Sequence, residues 1–328
     1  MAEKSKKKPA RKKPAARRRP PKRPSLGNQL LRVGIGFLLL IALVVAAGYL
    51  LYLFFGRPAS PPAPPDAQQQ TGKAAAPELP PFEVYPDRDR PVRPPLPKEM
   101  IPPAVGPPKV ALIVDDLGYD RQMAQRFIRL GVPMTFSILP NGPFSKKIAD
   151  MADQQGVEIM VHLPMEPNEF PDIDPGPGAL LTTMDANELI RQLNEHLDAL
   201  PTARGVNNHM GSKMTTRAEQ LYQIFSVLKK RNLYFIDSRT TAETICQPSA
   251  RLFQLHFGQR DVFVDHVEEP EFIRKQLRHL IKTAESHGEA IGILHPHSLT
   301  AQILEESLPA FKDRVRWVPA SEVVHPAG

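Results

Sequence analysis

Two carboxylates, Asp115 and Asp116, stand side by side where the apolar run Val110–Val114 ends, shortly before Gly118. Adjacent like charges repel unless a cation offsets them, so the pair calls for a partner of opposite sign. Further along the chain other apolar runs end the same way. His162 follows one in MVHLPMEP, Asn207, Asn208 and His209 lie in GVNNHMGS, and Asp237 in YFIDSR. Asp265 and His266 close FVDH, and His295 and His297 lie in LHPH. Each alone has a plain reading, an aspartate as a helix N-cap or an imidazole satisfied in a core. Repetition at the same end of successive runs indicates one shared polar site. An Asp beside a divalent ion stays ionised, and its neighbour can serve as general base. Imidazole and carboxylate ligands with an open position suit zinc, whose bound water reaches a pKa of roughly 7 and can attack a carbonyl carbon.

The elements that must position these residues are legible as strands at VALIV, MTFSIL, VEIMV, GVNN, LYFI, VFV, AIGIL and VRWV, with segments of helical period between them. Asp185 with Glu188, and Thr216 with Glu219, have capping-box spacing and mark two helix starts, while Gly131 marks a helix end. Seven or eight such units predict a parallel sheet covered by helices, as a barrel or a doubly wound sheet. No glycine-rich phosphate loop follows a strand, which weighs against nucleotide binding. In a barrel the carboxyl ends of the strands face one mouth, where the polar residues would meet. His196, His279 and His287 lie on helix faces and read as surface. The single cysteine, Cys246, excludes an internal disulfide and reads as core packing.

In this order, LIVDDLG, HLPMEP, NNHMGS, FIDSRT, VFVDH and GILHPH resemble the divergent polysaccharide deacetylase family, a branch of the carbohydrate esterases, over about Lys109–Val324. The resemblance implies an α/β fold, a NodB-type distorted β/α barrel of seven or eight parallel strands. It implies metal-dependent hydrolysis of N- or O-acetyl groups on a polysaccharide or peptidoglycan-like glycan. By motif position it implies Asp115 as catalytic base, Asp116 as metal ligand and His295 as general acid. The family's second motif carries two histidines four apart, and Glu166 occupies the second place here. Its Arg-x-Pro-Tyr motif is absent, with GVNNHMG roughly in its position. His209 is therefore expected as the third ligand beside Asp116 and His162, with Glu166 as the fallback. Asn208, Asp237, Asp265 and His297 are further candidates. The alternative is a non-catalytic glycan-binding or envelope-assembly protein that keeps the barrel.

The rest of the chain speaks to location. Residues 1–32 hold 13 of the 42 Lys/Arg and one acidic residue, leaving 29 basic against 34 acidic residues elsewhere. The net charge of +7 thus belongs to a basic tail. Val33–Phe55 is uncharged for 23 residues, about 34 Å as a helix and enough to span a bilayer. A cleaved signal peptide usually has a shorter apolar region. The expectation is a disordered cytoplasmic tail (1–32) and a single-pass signal anchor in the inner membrane (33–55). A proline-rich linker (56–108) and a periplasmic or external domain (109–328) follow. Positive-inside placement and anionic lipid account for the basic run, so no nucleic acid partner is expected. Seventeen prolines between Arg57 and Pro108 predict an extended spacer.

Overall fold

The computed structural model describes residues 106–327. The basic tail, the apolar stretch and nearly all of the proline-rich linker lie outside these residues. Among the described residues, no helix is long and apolar enough to cross a membrane.

Ten strands form one sheet: β1 (Lys109–Leu117), β2 (Thr135–Ile138), β3 (Glu158–Met165), β4 (Gly205–Met210), β5 (Tyr234–Asp237), β6 (His256–Gln259), β7 (Val262–Phe263), β8 (Glu289–Leu294), β9 (Arg316–Val318) and β10 (His325–Pro326). Their order is β10-β6-β5-β4-β3-β2-β1-β8-β7, with β9 beside β1, and every pairing is parallel except β10 with β6. The expectation of seven or eight parallel strands undercounts. It omits β6 and β10, whose sequences are short and polar at their ends. The intervening helices are α1 (Arg121–Ile128), α2 (Ser145–Gln154), α3 (Ala186–Ala199), α4 (Ala218–Lys230), α5 (Cys246–Leu252), α6 (Pro270–His287) and α7 (Ser298–Ser307).

Continuous apolar strands arise because both faces of the sheet are buried. Along β1, Val110, Leu112 and Val114 join the large core beneath the helices, while Ala111 and Ile113 join a smaller inner cluster. That inner cluster also takes Met160 from β3, Ile236 from β5, Phe263 from β7 and Ile291 and Ile293 from β8. Strands from both ends of the order therefore meet on one face, and the sheet is curled. A Cβ at Gly258 on β6 would stand 2.9 Å from Ile291 Cδ1 on β8, so glycine is what lets these strands approach. No ladder joins β6 to β7 among the described residues, which leaves a curled half-barrel rather than a closed one.

Local signals were mixed. Asp185 caps α3, accepting from the Asn187 and Glu188 amides, as the spacing predicts. Asp120 caps α1 in the same way. The second capping box does not form. Thr216 sits in a 3-10 turn, its hydroxyl donates to the Lys213 carbonyl, and α4 starts at Ala218, after Arg217, without a side-chain cap. His196 is buried rather than on the surface. Its Nε2 lies 2.6 Å from the Gly178 carbonyl, pinning the loop after β3 to α3. Cys246 is buried and unbridged.

At the amino end of the sheet, the opening residues of several strands make a polar plug with the C-terminal segment. Glu158 Oε1 accepts from Thr135 Oγ1 at 3.0 Å, Tyr234 OH at 2.8 Å and the Ser321 amide at 3.0 Å. His325 Nε2 reaches Glu289 at 2.9 Å. The C-terminal segment thus closes this end.

Candidate metal centre

The opposite end is built on an irregular β1. Between Val114 and Leu117 three steps along β1 match two along β2, from Phe136 to Ile138, so one residue is extra. Asp116 absorbs it with φ 55°, a left-handed backbone that non-glycine residues rarely adopt. Strict alternation would send Asp115 and Asp116 to opposite faces. The bulge removes that constraint, and both carboxylates reach the concave side. Met210 (φ 52°) and Arg239 (φ 53°), at the ends of β4 and β5, take the same conformation. Backbone of this kind gathers at functional sites.

Three side chains then converge. Asp116 Oδ1 lies 3.0 Å from His162 Nε2 and 2.9 Å from His209 Nδ1, and those nitrogens are 3.1 Å apart. All three residues are buried. Beyond these two imidazoles Asp116 Oδ1 has no hydrogen-bond partner, and His209 Nε2 has none, among the described residues. A buried polar atom without a partner is expensive. One oxygen and two imidazole nitrogens facing one another fit a divalent cation.

The electrostatics agree. For Asp116, burial opposes ionisation, but His209 and His162 outweigh it and hold the carboxyl well below its usual range. Burial also lowers His162, yet Asp115 and Asp116 push it up to about 9. Asp115 is raised by burial, partly offset by His162 and His295. His295 would be lowered by burial, but Asp265, with help from Asp116 and Asp115, pushes it up to about 10. His295 Nε2 points toward the centre, 4.0 Å from Asp116 Oδ2.

The remaining candidates separate. Asp265 Oδ1 faces His295 Nδ1 at 2.9 Å, and its Oδ2 accepts from the His295 amide and Thr300 Oγ1, both at 2.8 Å. Although Asp265, His295 and His297 lie close enough to share an ion, these donors occupy Asp265, which orients His295. His297 Nδ1 pairs with Glu268 at 3.2 Å. Glu166 stands outside the group of three that could share an ion. Lys213 Nζ and the Thr182 amide each sit 2.5 Å from its carboxylate, and together they hold it below its usual value despite burial. Asn208 is on the other face of β4, tying the Ser238 amide at 2.9 Å and the Met210 carbonyl at 2.8 Å. Asp237 accepts from the Arg239 amide and Thr244 Oγ1, both at 2.8 Å, and shapes its own turn.

Asn207, one of the polar strand-end residues, was given no role by the sequence, yet its side chain links Asp115 to His162. The signal was available: on a strand, residue 207 shares a face with 209.

Comparison with known proteins follows the same region. Residues 112–324 match the family described as divergent polysaccharide deacetylase. An uncharacterized Escherichia coli (strain K12) protein, YibQ, is 30% identical over 217 residues, 66% of this chain and 67% of that protein. An uncharacterized Haemophilus influenzae protein is 28% identical over 210 residues, covering 64% of this chain and 74% of its own length. The crystal structure of the uncharacterized protein ATU2773 from Agrobacterium tumefaciens C58 shares the fold. Its TM-score is 0.64 at 24% identity, covering 69% of this chain and 92% of that one.

Proposed function

The chain belongs to the divergent polysaccharide deacetylase family, and from that premise we propose that its domain hydrolyses N- or O-acetyl groups on a polysaccharide or peptidoglycan-like glycan. Asp116, His162 and His209 would hold the divalent ion, zinc by preference. When bound there, such an ion polarises the acyl carbonyl and makes a nearby water more acidic. The observation that carries this reading is Asp116 Oδ1 facing two imidazole nitrogens and no other partner, with a base and an acid on either side.

Asp115 takes the proton of the attacking water. Its carboxyl, raised by burial, is a stronger base than an exposed aspartate. His295, charged at neutral pH by virtue of its value of about 10, returns a proton to the departing amine or alkoxide. Asp265 holds its imidazole with Nδ1 engaged and Nε2 toward the reacting bond.

We place this chemistry outside the cytoplasm, on an inner-membrane anchor at residues 33–55, from the uncharged stretch and its one-sided basic flank. A topology reporter fused after Pro108 should be external and membrane-bound.

A glycan-binding protein without turnover is the second reading. It draws on Glu166, which stands where the family's second histidine belongs and is engaged by Lys213. Metal analysis of the purified chain, then acetate release from N-acetylglucosamine oligomers and O-acetylated xylan, separates the two. Stoichiometric zinc with acetate release supports hydrolysis. Glycan binding with no acetate from either probe supports the second.

A further inference from the structure

We infer that Asn207 is a positioning residue that sets two groups at once, selecting the ring nitrogen His162 offers to the centre and holding the Asp115 carboxylate. The inference deepens the metal-hydrolase reading and rests on it for the assignment of His162 as ligand.

The argument is one of donors and acceptors. Asn207 Nδ2 lies 2.8 Å from Asp115 Oδ1 and 3.1 Å from Oδ2. An ionised carboxylate only accepts, so the amide NH2 must face Asp115. The carbonyl oxygen then faces the other way, where Ser137 Oγ donates to it at 2.6 Å and His162 Nδ1 stands 2.8 Å away. An amide oxygen also only accepts, so His162 Nδ1 must carry a hydrogen. A neutral imidazole has one N–H, and the lone pair therefore falls on Nε2, which faces Asp116 Oδ1 and His209 Nδ1. Turning the amide over would set its oxygen against the Asp115 carboxylate at hydrogen-bond distance. The whole chain of contacts is buried, and Ser238 Oγ, 3.3 Å from Nδ2, ties it to the loop after β5. One amide spans the strand carrying the base and the strand carrying the ligand.

The two halves of the amide separate by substitution. Asn207→Asp keeps an acceptor for His162 Nδ1–H, now a charged one, but loses the donor to Asp115 and adds repulsion. Asn207→Ala loses both. In zinc competition titrations on the full 328-residue chain, Asn207→Ala should bind roughly 10–100-fold more weakly than the unmodified protein. Asn207→Asp should stay within a few-fold of the unmodified chain. Both should lose acetate release. In metal-free chain labelled with 15N-histidine, at a pH alkaline enough for the His162 ring to be neutral, that ring should carry its proton on Nδ1, and in Asn207→Ala the proton should divide between the two nitrogens. This second readout needs neither metal nor turnover. Asn207→Ala with undiminished zinc affinity, Asn207→Asp as weak as Asn207→Ala, or an Nε2-protonated ring in the unmodified chain would each overturn the inference. An unmodified chain that binds no zinc while its His162 ring is Nδ1-protonated would instead remove the metal reading and leave the amide's role standing.

Discussion

Both ends of the curled sheet hold carboxylates, and they treat them differently. At the amino end Glu158 receives three donors at one oxygen, from a hydroxyl, a phenol and a backbone amide, and Glu289 is matched by His325. At the carboxyl end Asp116 Oδ1 meets two imidazole nitrogens and nothing else, on a residue with left-handed backbone. The first arrangement supplies its carboxylates with donors and stabilises the fold. The second leaves a concentrated negative field that only a proton or a metal ion can answer. Stability and chemistry are thus separated along the strands, each end using the same residue types with opposite accounting.

The sharpest break of this contrast is Asp116→Asn. Zinc binding and acetate release should fall together below detection, as read by metal analysis and an acetate assay. Retained stoichiometric zinc would refute the assignment of this carboxylate. Next in size are Asp115→Asn and His295→Ala, which should keep the ion while turnover drops about 10²–10⁴-fold. If Asp115→Asn releases acetate as fast as the unmodified chain, the base lies elsewhere.

The pH dependence follows from His162. Its value of about 9 lies above the usual 6.5, so below pH 9 the metal-free centre holds a proton that an ion must displace. Zinc affinity should rise about tenfold per pH unit from 7 to 9 and level beyond. Calorimetry in buffers of different ionisation enthalpy should register the released proton, and a flat profile would mean that His162 does not bind the ion. At the other end of the sheet, Glu158→Ala should leave zinc affinity unchanged. It strands the Tyr234 hydroxyl and the Thr135 hydroxyl, so denaturant unfolding should show a loss of about 3 kcal/mol. The smallest effect belongs to Glu166→Gln. Lys213 is partly exposed, so stability should change by about 1 kcal/mol or less, with zinc affinity intact. Lost affinity there would restore Glu166 as a ligand.

Much of this was readable in advance. The six polar strand ends and the family resemblance both came from residue order, and Asp185 as a helix cap came from spacing. What escaped has identifiable physical causes. His196 read as surface because a polar residue on an amphipathic helix is usually solvated; the Gly178 carbonyl that buries it belongs to a distant loop. Asn208 and Asp237 entered as further candidates because they too end strands, yet one points to the other face and one is consumed by its own turn. Thr216 had the capping spacing but lies in a 3-10 turn instead.

Sequence alone determined which residue types stand at the carboxyl ends of the strands and that the strands are buried on both faces, since apolar periodicity is a local property. Tertiary structure decided which of those side chains meet. Direction on a strand alternates every residue, so one inserted residue at Asp115–Asp116 reverses it, and that insertion is defined only against the partner strand β2. The choice of His209 over Glu166 has the same origin. β3 and β4 pair His162 with Asn207 and Pro164 with His209, which sets both imidazoles beside Asp116, while Glu166 lies past the end of β3 within reach of Lys213.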